Sequence, residues 1–573
     1  MSESQKRIAA PMLALLAGAA VVLPAILFGM PKNNDLANHY HFAIPFYEAL
    51  RQGHLYPGWL ATPNFGYGDV VVRFYPPALY YLLAAGRAMT GNWYAGSLLV
   101  ITFLSALGSL GAYVWARCYV PRHIAIWAAV FYALMPYRLA EFYQAAQLAE
   151  FAAGAALLFA LGFTKRVCDQ RRWRDAAGLA IAYAGLILSH LPLAVFGSLT
   201  LLLYALLNVS MAGRSETQRE SRFRLKTLAK LAVAVLLGLG ASAFYWVTMI
   251  AEMKWIVADG PNPDPMLNYR HNFIFSTLSP ENESIWWMGL LAIATIAMCI
   301  PAIGAFAKPE RPLLRKSLVP LALLLIFSIL MSTSISRPLW AVIPYLEKTQ
   351  HPFRWLAVTS TIAPLLMAAS VPVWFARLRQ PKRSLALVMA GLVMMAVTFS
   401  FSQTVRGATF LSRTTFDQMI GPLKEAPGII QWLPAWASAS AHNEPSYEKC
   451  VPPQTDAMVA AGNRAIRISD WSDLKRSFTI EAGPATEARV ATFYYPHWIA
   501  SANGQMLPTR PAADGALLIS LPSERAMVNL DFREPPRSKL SGATSIISWT
   551  LLSTVFIVGA FVRRRRDHEP IAF

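Results

Sequence analysis

Apolar runs long enough to cross a bilayer constrain this chain more than anything else in it. They fall at about 8–30, 93–116, 229–250, 285–306, 353–376, 385–402 and 541–562. Shorter apolar runs occur at about 122–138, 148–164, 175–189, 192–209 and 317–333, so the expected number of spans is about twelve. With 55% hydrophobic and only 14% charged residues over 573 positions, the bilayer is the solvent this chain is built for. The fold class that follows is an α-helical polytopic membrane protein.

Basic residues set the expected orientation. Lys6/Arg7, Arg117/Arg122, Lys165 to Arg174, Arg214 to Lys230, Lys308 to Lys316, Arg377 to Arg383 and Arg563 to Arg566 all fall on one side of the alternating spans. They hold more than half of the 51 Lys and Arg. That side is expected to be cytoplasmic, with both termini inside and the protein in the cytoplasmic (inner) membrane. The net charge of +19 is then a topology signal. It does not read as a nucleic-acid footprint, because the basic clusters are short, scattered and each abuts an apolar run. The first run follows Lys6-Arg7 as a signal peptide would, but it is too long and lacks a small-residue cleavage site before Pro31, so it reads as an uncleaved first helix. On this topology Cys118 and Cys168 are cytoplasmic, Cys299 lies within a span and Cys450 stands alone outside, so no disulfide is expected.

The chain divides into three parts. Residues 1–402 form the membrane body, with a long first outer loop at 31–92. Residues 403–540 form an extracytoplasmic segment, and residues 541–573 the last span and a basic cytoplasmic tail. About 403–445 reads as helix and loop, punctuated by Pro422, Pro427, Pro434 and Pro445. From Cys450 the pattern becomes short alternating runs, such as Arg489 to Tyr495 and Met527 to Leu530, with hairpin turns at Asn503-Gly504 and Asp514-Gly515. A small antiparallel β domain is expected there. Residues 76–92 could re-enter the membrane or lie on it.

Polar side chains at the ends of apolar runs are the candidates for chemistry. The first outer loop is long and rich in aromatics, Gly and Pro, and loops of that kind carry function. Asp35 stands just past the first span. It could act as a base toward an acceptor hydroxyl, orient an acceptor or metal, or simply cap the helix that follows. His39 lies four residues on, on the same face if the segment is helical. Glu150, after Arg138 and Glu141, opens a span, where an acid either complements the helix dipole or faces a polar cavity. His190 sits at a break between two short runs, as a substrate or metal contact or as a structural partner of freed carbonyls. Arg354, in Gln350-His351-Pro352-Phe353-Arg354-Trp355, enters a span at headgroup depth, where a guanidinium can grip a phosphate or snorkel to the interface. Arg270 and His271 are further candidates for the same task. No P-loop, HExxH or GxSxG motif occurs, so an activated group would have to come from a lipid-borne or covalent donor.

Several of these stretches together resemble the bacterial 6-pyruvoyl-tetrahydropterin-synthase-related multi-pass membrane proteins, which are similar to GT-C type glycosyltransferases. The matching residues are Asp35-Leu36-Ala37-Asn38-His39, Tyr56-Pro57-Gly58-Trp59, Gly66-Tyr67-Gly68, Phe74-Tyr75-Pro76-Pro77, Met135-Pro136-Tyr137-Arg138, Ala149-Glu150-Phe151, Ser189-His190-Leu191-Pro192 and Gln350 to Leu356. Tyr494-Tyr495-Pro496-His497-Trp498 matches the usual C-terminal part. Nothing resembles a pterin enzyme's metal-binding histidine set. The resemblance implies a GT-C-like bundle with its centre in the first outer loop, and a sugar on a polyprenyl phosphate as donor, usually transferred with inversion. The acceptor would be an envelope glycan, lipid or protein, and membrane lipids would be the remaining partners. Asp35 and Glu150 would be the catalytic carboxylates and Arg354 would hold the donor phosphate. His39, His190, His351, Arg138 and Tyr75 would bind substrate. A divalent metal, Mg or Mn, could be held by Asp35 and His39. Asp69 after Gly68, and His351 where an apolar residue is more usual, depart from the pattern. Two other readings stay open: a lipid-linked glycan transporter or flippase, and a non-catalytic assembly protein.

Overall fold

A computed structural model describes residues 3–32, 34–211, 218–257, 268–275, 283–307, 312–381, 383–426, 428–438 and 458–568. Eight of the helices are long and apolar enough to cross a membrane, or up to ten spans when each of two bent pairs is taken as one. Arg122–Ala133 and Pro136–Tyr143 turn by 45° at Pro136, which removes a backbone donor. Arg222–Ala241 and Ala243–Trp255 turn by 70° at Ser242, whose hydroxyl bonds back to the Gly238 carbonyl at 2.9 Å. Two of the twelve expected spans fall short. The first run divides into the helices Glu3–Ala20 and Leu23–Phe28. The run at 175–189 becomes the 17-residue helix Trp173–Ser189, about 25 Å long at ~1.5 Å per residue, less than the ~30 Å hydrocarbon core.

Pro352–Leu378 is the most buried span, followed by Leu148–Gln170, while Ser384–Thr404 and Pro536–Val558 are the least buried. The first two form the hub and the last two the lipid-facing rim. The segment at 76–92 forms the helix Ala78–Thr90, too short to span at 13 residues. It folds back on Trp93–Ala116 through Gly91, at φ 77°, and the two helices touch backbone to backbone: a Cβ on Gly86 would stand 2.6 Å from the Gly96 carbonyl oxygen.

The β-rich region, from Val459 to Phe532, holds two antiparallel sheets. One has four strands, in the order Val459–Ala460, Thr486–Phe493, Ala516–Leu521, Thr509–Pro511. The other has five, in the order Ile466–Ser472, Lys475–Ile480, Ala526–Phe532, Trp498–Ala502, Gln505–Leu507. Alternating burial along Ala526–Phe532 faces one side of that strand to a core of Phe478, Val528 and Leu530. Asn503 and Gly504, both at positive φ, make the expected tight turn, and Gly515 (φ 82°) makes the second. The expected beginning of this region at Cys450 lies outside the described residues, as do Pro427 and Pro445; Cys118, Cys168 and Cys299 carry free thiols.

A short antiparallel pair missing from the sequence reading ties Met30–Lys32 to Thr409–Leu411. It fixes the chain at the point where the first outer loop begins. The loop itself packs on the β-rich region. Trp59 is buried against Trp498 and Phe532, and Gly68 (φ 85°) lets the backbone pass where a Cβ would fall 2.3 Å from the Trp59 ring.

Candidate active site

The helix Asn34–Arg51 puts Asp35 in its first turn, inside the helix rather than at its cap, and His39 one turn further on. Asp35 is half-buried and within electrostatic range of His39, Tyr75, Tyr80 and Glu150. His39 is buried. Its Nε2 donates to the Ala146 carbonyl at 3.1 Å, because a carbonyl can only accept, and its Nδ1 is left to accept from the Tyr80 hydroxyl at 3.4 Å. Burial pushes the imidazole down, so it is neutral near pH 7, against the opposing pull of Asp35.

Opposite, the 3-10 turn Pro352–Arg354 leads into the helix Trp355–Leu378 and leaves Arg354 at its N-terminus, where the dipole favours anions. The turn is held in place through Asn272, which donates to the Gln350 carbonyl at 3.1 Å and accepts from the Phe353 amide at 3.2 Å. Gln350 takes a left-handed conformation (φ 64°), a strained setting for a non-glycine beside His351. Arg354 Nε stands 3.2 Å from Glu150 Oε2. The pair is not aligned as a hydrogen bond, and neither atom has another partner. Glu150 Oε1 accepts from the Tyr137 hydroxyl at 3.0 Å. The Nη1 and Nη2 groups of Arg354 make no hydrogen bond among the described residues.

Three further side chains lie within electrostatic range of Arg354. His190 is held by the Leu193 amide, which donates to its Nδ1 at 3.3 Å, so Nε2 carries the hydrogen. It lies in electrostatic range of Arg354, His39 and His351. Burial first, and then the Arg354 charge, push both His190 and His351 well below the ordinary imidazole value, so both are neutral donors or acceptors. His351 Nδ1 is buried without a partner. The Tyr75 hydroxyl faces Asp35, Arg354 and Glu150, and burial raises it, keeping its proton in place. Its ring packs against His39, Phe42 and Trp432.

Asp35, His39, Tyr75, Glu150, His190, His351 and Arg354 thus converge from five separate elements. Arg138 lies within electrostatic range of Glu150, and its buried Nη2 has no hydrogen-bond partner among the described residues. It is buried behind Glu150, paired with Glu141 at 2.9 Å and with the Phe151 carbonyl at 2.6 Å, and lies over the Phe151 ring. It supports the start of the Glu150 helix. Arg270 and His271 sit exposed on the turn Tyr269–His271, which serves the site through Asn272 instead. Tyr137 and Tyr80, which orient Glu150 and His39, escaped the sequence reading, although Tyr137 stands beside the flagged Arg138.

A divalent metal on Asp35 and His39 does not fit. Both His39 nitrogens are already engaged, and no group of three His, Cys, Asp or Glu that could hold a metal occurs among the described residues.

The solved structures to which the chain is similar are distant. The chain is 13% identical to the oligosaccharyltransferase AglB from Archaeoglobus fulgidus, solved with an inhibitory peptide and a dolichol-phosphate, over 78% of this chain and 59% of that one, TM-score 0.46. It is 18% identical to the arabinofuranosyltransferase AftD from Mycobacteria over 72% and 28%, TM-score 0.44. It is 12% identical to ArnT from Cupriavidus metallidurans bound to undecaprenyl phosphate over 74% and 75%, TM-score 0.39. The chain therefore spans 59% of AglB and just over a quarter of AftD. No curated protein sequence matches it. The family described as 6-pyruvoyl-tetrahydropterin synthase related domain, membrane protein, matches residues 72–406, more than half of the chain and nearly all of the spans that build the site. The chain belongs to that family of membrane proteins.

Proposed function

We propose that this protein is a glycosyltransferase that moves a sugar from a polyprenyl-phosphate donor to a glycan, lipid or protein acceptor on the outer face of the cytoplasmic membrane. One observation carries the reading: an arginine at a helix N-terminus, its Nη1 and Nη2 without a hydrogen bond among the described residues, and a half-buried carboxylate, Asp35, both within electrostatic range of the Tyr75 hydroxyl. In the proposed step the acceptor oxygen attacks the anomeric carbon and its proton passes to Asp35. The bond from that carbon to the phosphate oxygen breaks, and the electron pair leaves on the phosphate. Arg354 takes up that charge, assisted by the Tyr75 hydroxyl and the His190 Nε2–H. Glu150 holds the guanidinium side-on so that the fork points at the phosphate. No step runs through a metal. The basic residues flanking the spans support the orientation, with the β-rich region and the first outer loop outside.

The test is mass spectrometry of envelope glycans and lipids from a deletion strain carrying wild type or Asp35→Asn. Loss of one hexose- or pentose-sized increment in both the deletion and the variant, with the variant inserted normally, is the expected result. A profile fully restored by Asp35→Asn overturns the role of Asp35 and the reading with it.

A further inference from the structure

A second polar cluster lies outside the site. Glu252, at the end of the bent span Ala243–Trp255, is fully buried yet carries five hydrogen bonds. Arg73 donates to it twice, through Nε at 2.7 Å and Nη2 at 2.9 Å. The Tyr495 hydroxyl donates at 2.7 Å, Arg537 at 2.8 Å, and His497 Nε2 lies at 2.9 Å. Arg73 in turn reaches Glu534 at 2.6 and 3.1 Å and the Gly58 carbonyl at 3.4 Å, so all five of its N–H groups are used. The cluster joins the first outer loop, the bent span, the β-rich region and the start of the last helix. Among the described residues it touches none of the groups around Arg354.

Its link to the site runs through two residues of backbone. Arg73 ends the 3-10 turn Val71–Arg73, and Tyr75 follows two residues later with its amide bonded to the Val71 carbonyl at 2.8 Å. The intervening Phe74 carbonyl accepts from Tyr245 at 2.8 Å, and Tyr56 holds the Val72 carbonyl at 2.7 Å. The turn carrying Tyr75 is pinned along its length, at Val71 by the Asp69 carboxyl at 2.8 Å and at Arg73 by Glu252 and Glu534. A buried guanidinium of this kind is held by its carboxylate partners, and loss of one partner leaves an uncompensated charge.

We infer that Glu252 is a positioning residue: it fixes Arg73, and through the turn Val71–Arg73 it sets the Tyr75 hydroxyl against Arg354. This rests on the proposed phosphate site. The β-rich region then acts on the reaction without lending it a side chain, because the Tyr495 hydroxyl and His497 Nε2 bond to Glu252 and the Tyr495 ring lies under Arg73.

The test measures binding of undecaprenyl phosphate to the purified full-length protein in detergent, with unfolding followed in parallel. Arg354→Ala should abolish binding, Tyr75→Phe should weaken it about tenfold, and Glu252→Gln should weaken it to a similar degree. The double variant Tyr75→Phe/Glu252→Gln should be no weaker than either single one, a coupling that general destabilisation does not produce. Should Glu252→Gln fail to insert, Tyr495→Phe, which removes one bond to Glu252 and leaves Arg73 intact, takes its place with a smaller loss. Penalties that multiply independently, or a Glu252→Gln or Tyr495→Phe protein that binds like wild type while Arg354→Ala does not, overturn the positioning role. Normal binding by Arg354→Ala overturns the phosphate site beneath it.

Discussion

Arg354 meets Glu150 edge-on, Nε to Oε2 at 3.2 Å, in a contact too oblique to be a hydrogen bond. An ion pair held this way orients the guanidinium while leaving its fork free. Lysine keeps the charge but offers no fork. Arg354→Lys should therefore lower affinity for undecaprenyl phosphate about tenfold, roughly 1.4 kcal/mol, in a direct binding measurement with insertion unchanged.

Asp35→Asn should separate binding from transfer. The side chain keeps its size at the first turn of Asn34–Arg51 but can no longer accept a proton. Turnover of a polyprenyl-phosphate sugar by membranes should fall by about 10²–10⁴-fold, while undecaprenyl phosphate binding stays within about twofold of wild type.

Asp69 is fully buried, accepts from the Val71 amide at 2.8 Å through Oδ1, and has no partner for Oδ2. Burial pushes its carboxyl up to about 7. An acid raised in this way stabilises the fold while protonated and loses that contribution as pH rises from about 4 through 7. Asp69→Asn should then raise stability at pH 8, by at most roughly 3–4 kcal/mol, and change it little at pH 5. Thermal unfolding in detergent at both pH values decides it.

The histidines run the other way. His39, His190 and His351 are all depressed by burial, so the unfolded chain binds more protons than the folded one below about pH 6.5. Stability from these groups is present above that pH and is lost as pH falls through the folded values. The melting temperature of His190→Gln should fall less between pH 7 and pH 5 than that of wild type, because the variant lacks one group that takes up a proton on unfolding. Equal slopes would place this imidazole in water.

Gly58 has no room for a side chain. A Cβ there would fall 1.9 Å from Glu534 Oε1 and 2.4 Å from Arg73 Nη1. Gly58→Ala should lower stability by about 1–3 kcal/mol, read as a lower melting temperature, and should weaken undecaprenyl phosphate binding together with it.

Asp35, Glu150, His190 and Arg354 were legible in the sequence because each is a polar residue at the end of an apolar run, where burial is costly without a partner or a task. Period-two patterning and Asn503-Gly504 made the β-rich region legible in the same way. The surroundings of Arg138 were not, since only packing reveals that its Nη1 is taken by Glu141 three residues on and by the Phe151 carbonyl, while its Nη2 has no partner among the described residues. Nor was the second cluster: Arg73 and Glu252 are 179 positions apart and Arg73 and Glu534 461, distances across which no local pattern speaks. The broken first helix escaped because its hydropathy is continuous while its backbone turns at Val21 and Val22.

That second cluster also bears on the order in which the fold is completed during synthesis. Arg73 and Glu252 are made early, but Glu534 follows the Arg73 it holds by 461 residues, and Arg537 follows the Glu252 it holds by 285. The first outer loop must therefore wait, its guanidinium held by Glu252 but not yet by Glu534, until the β-rich region has been made. A chain cut before Glu534 would hold every residue of the proposed phosphate site and still lack one of the two carboxylates that fix Arg73.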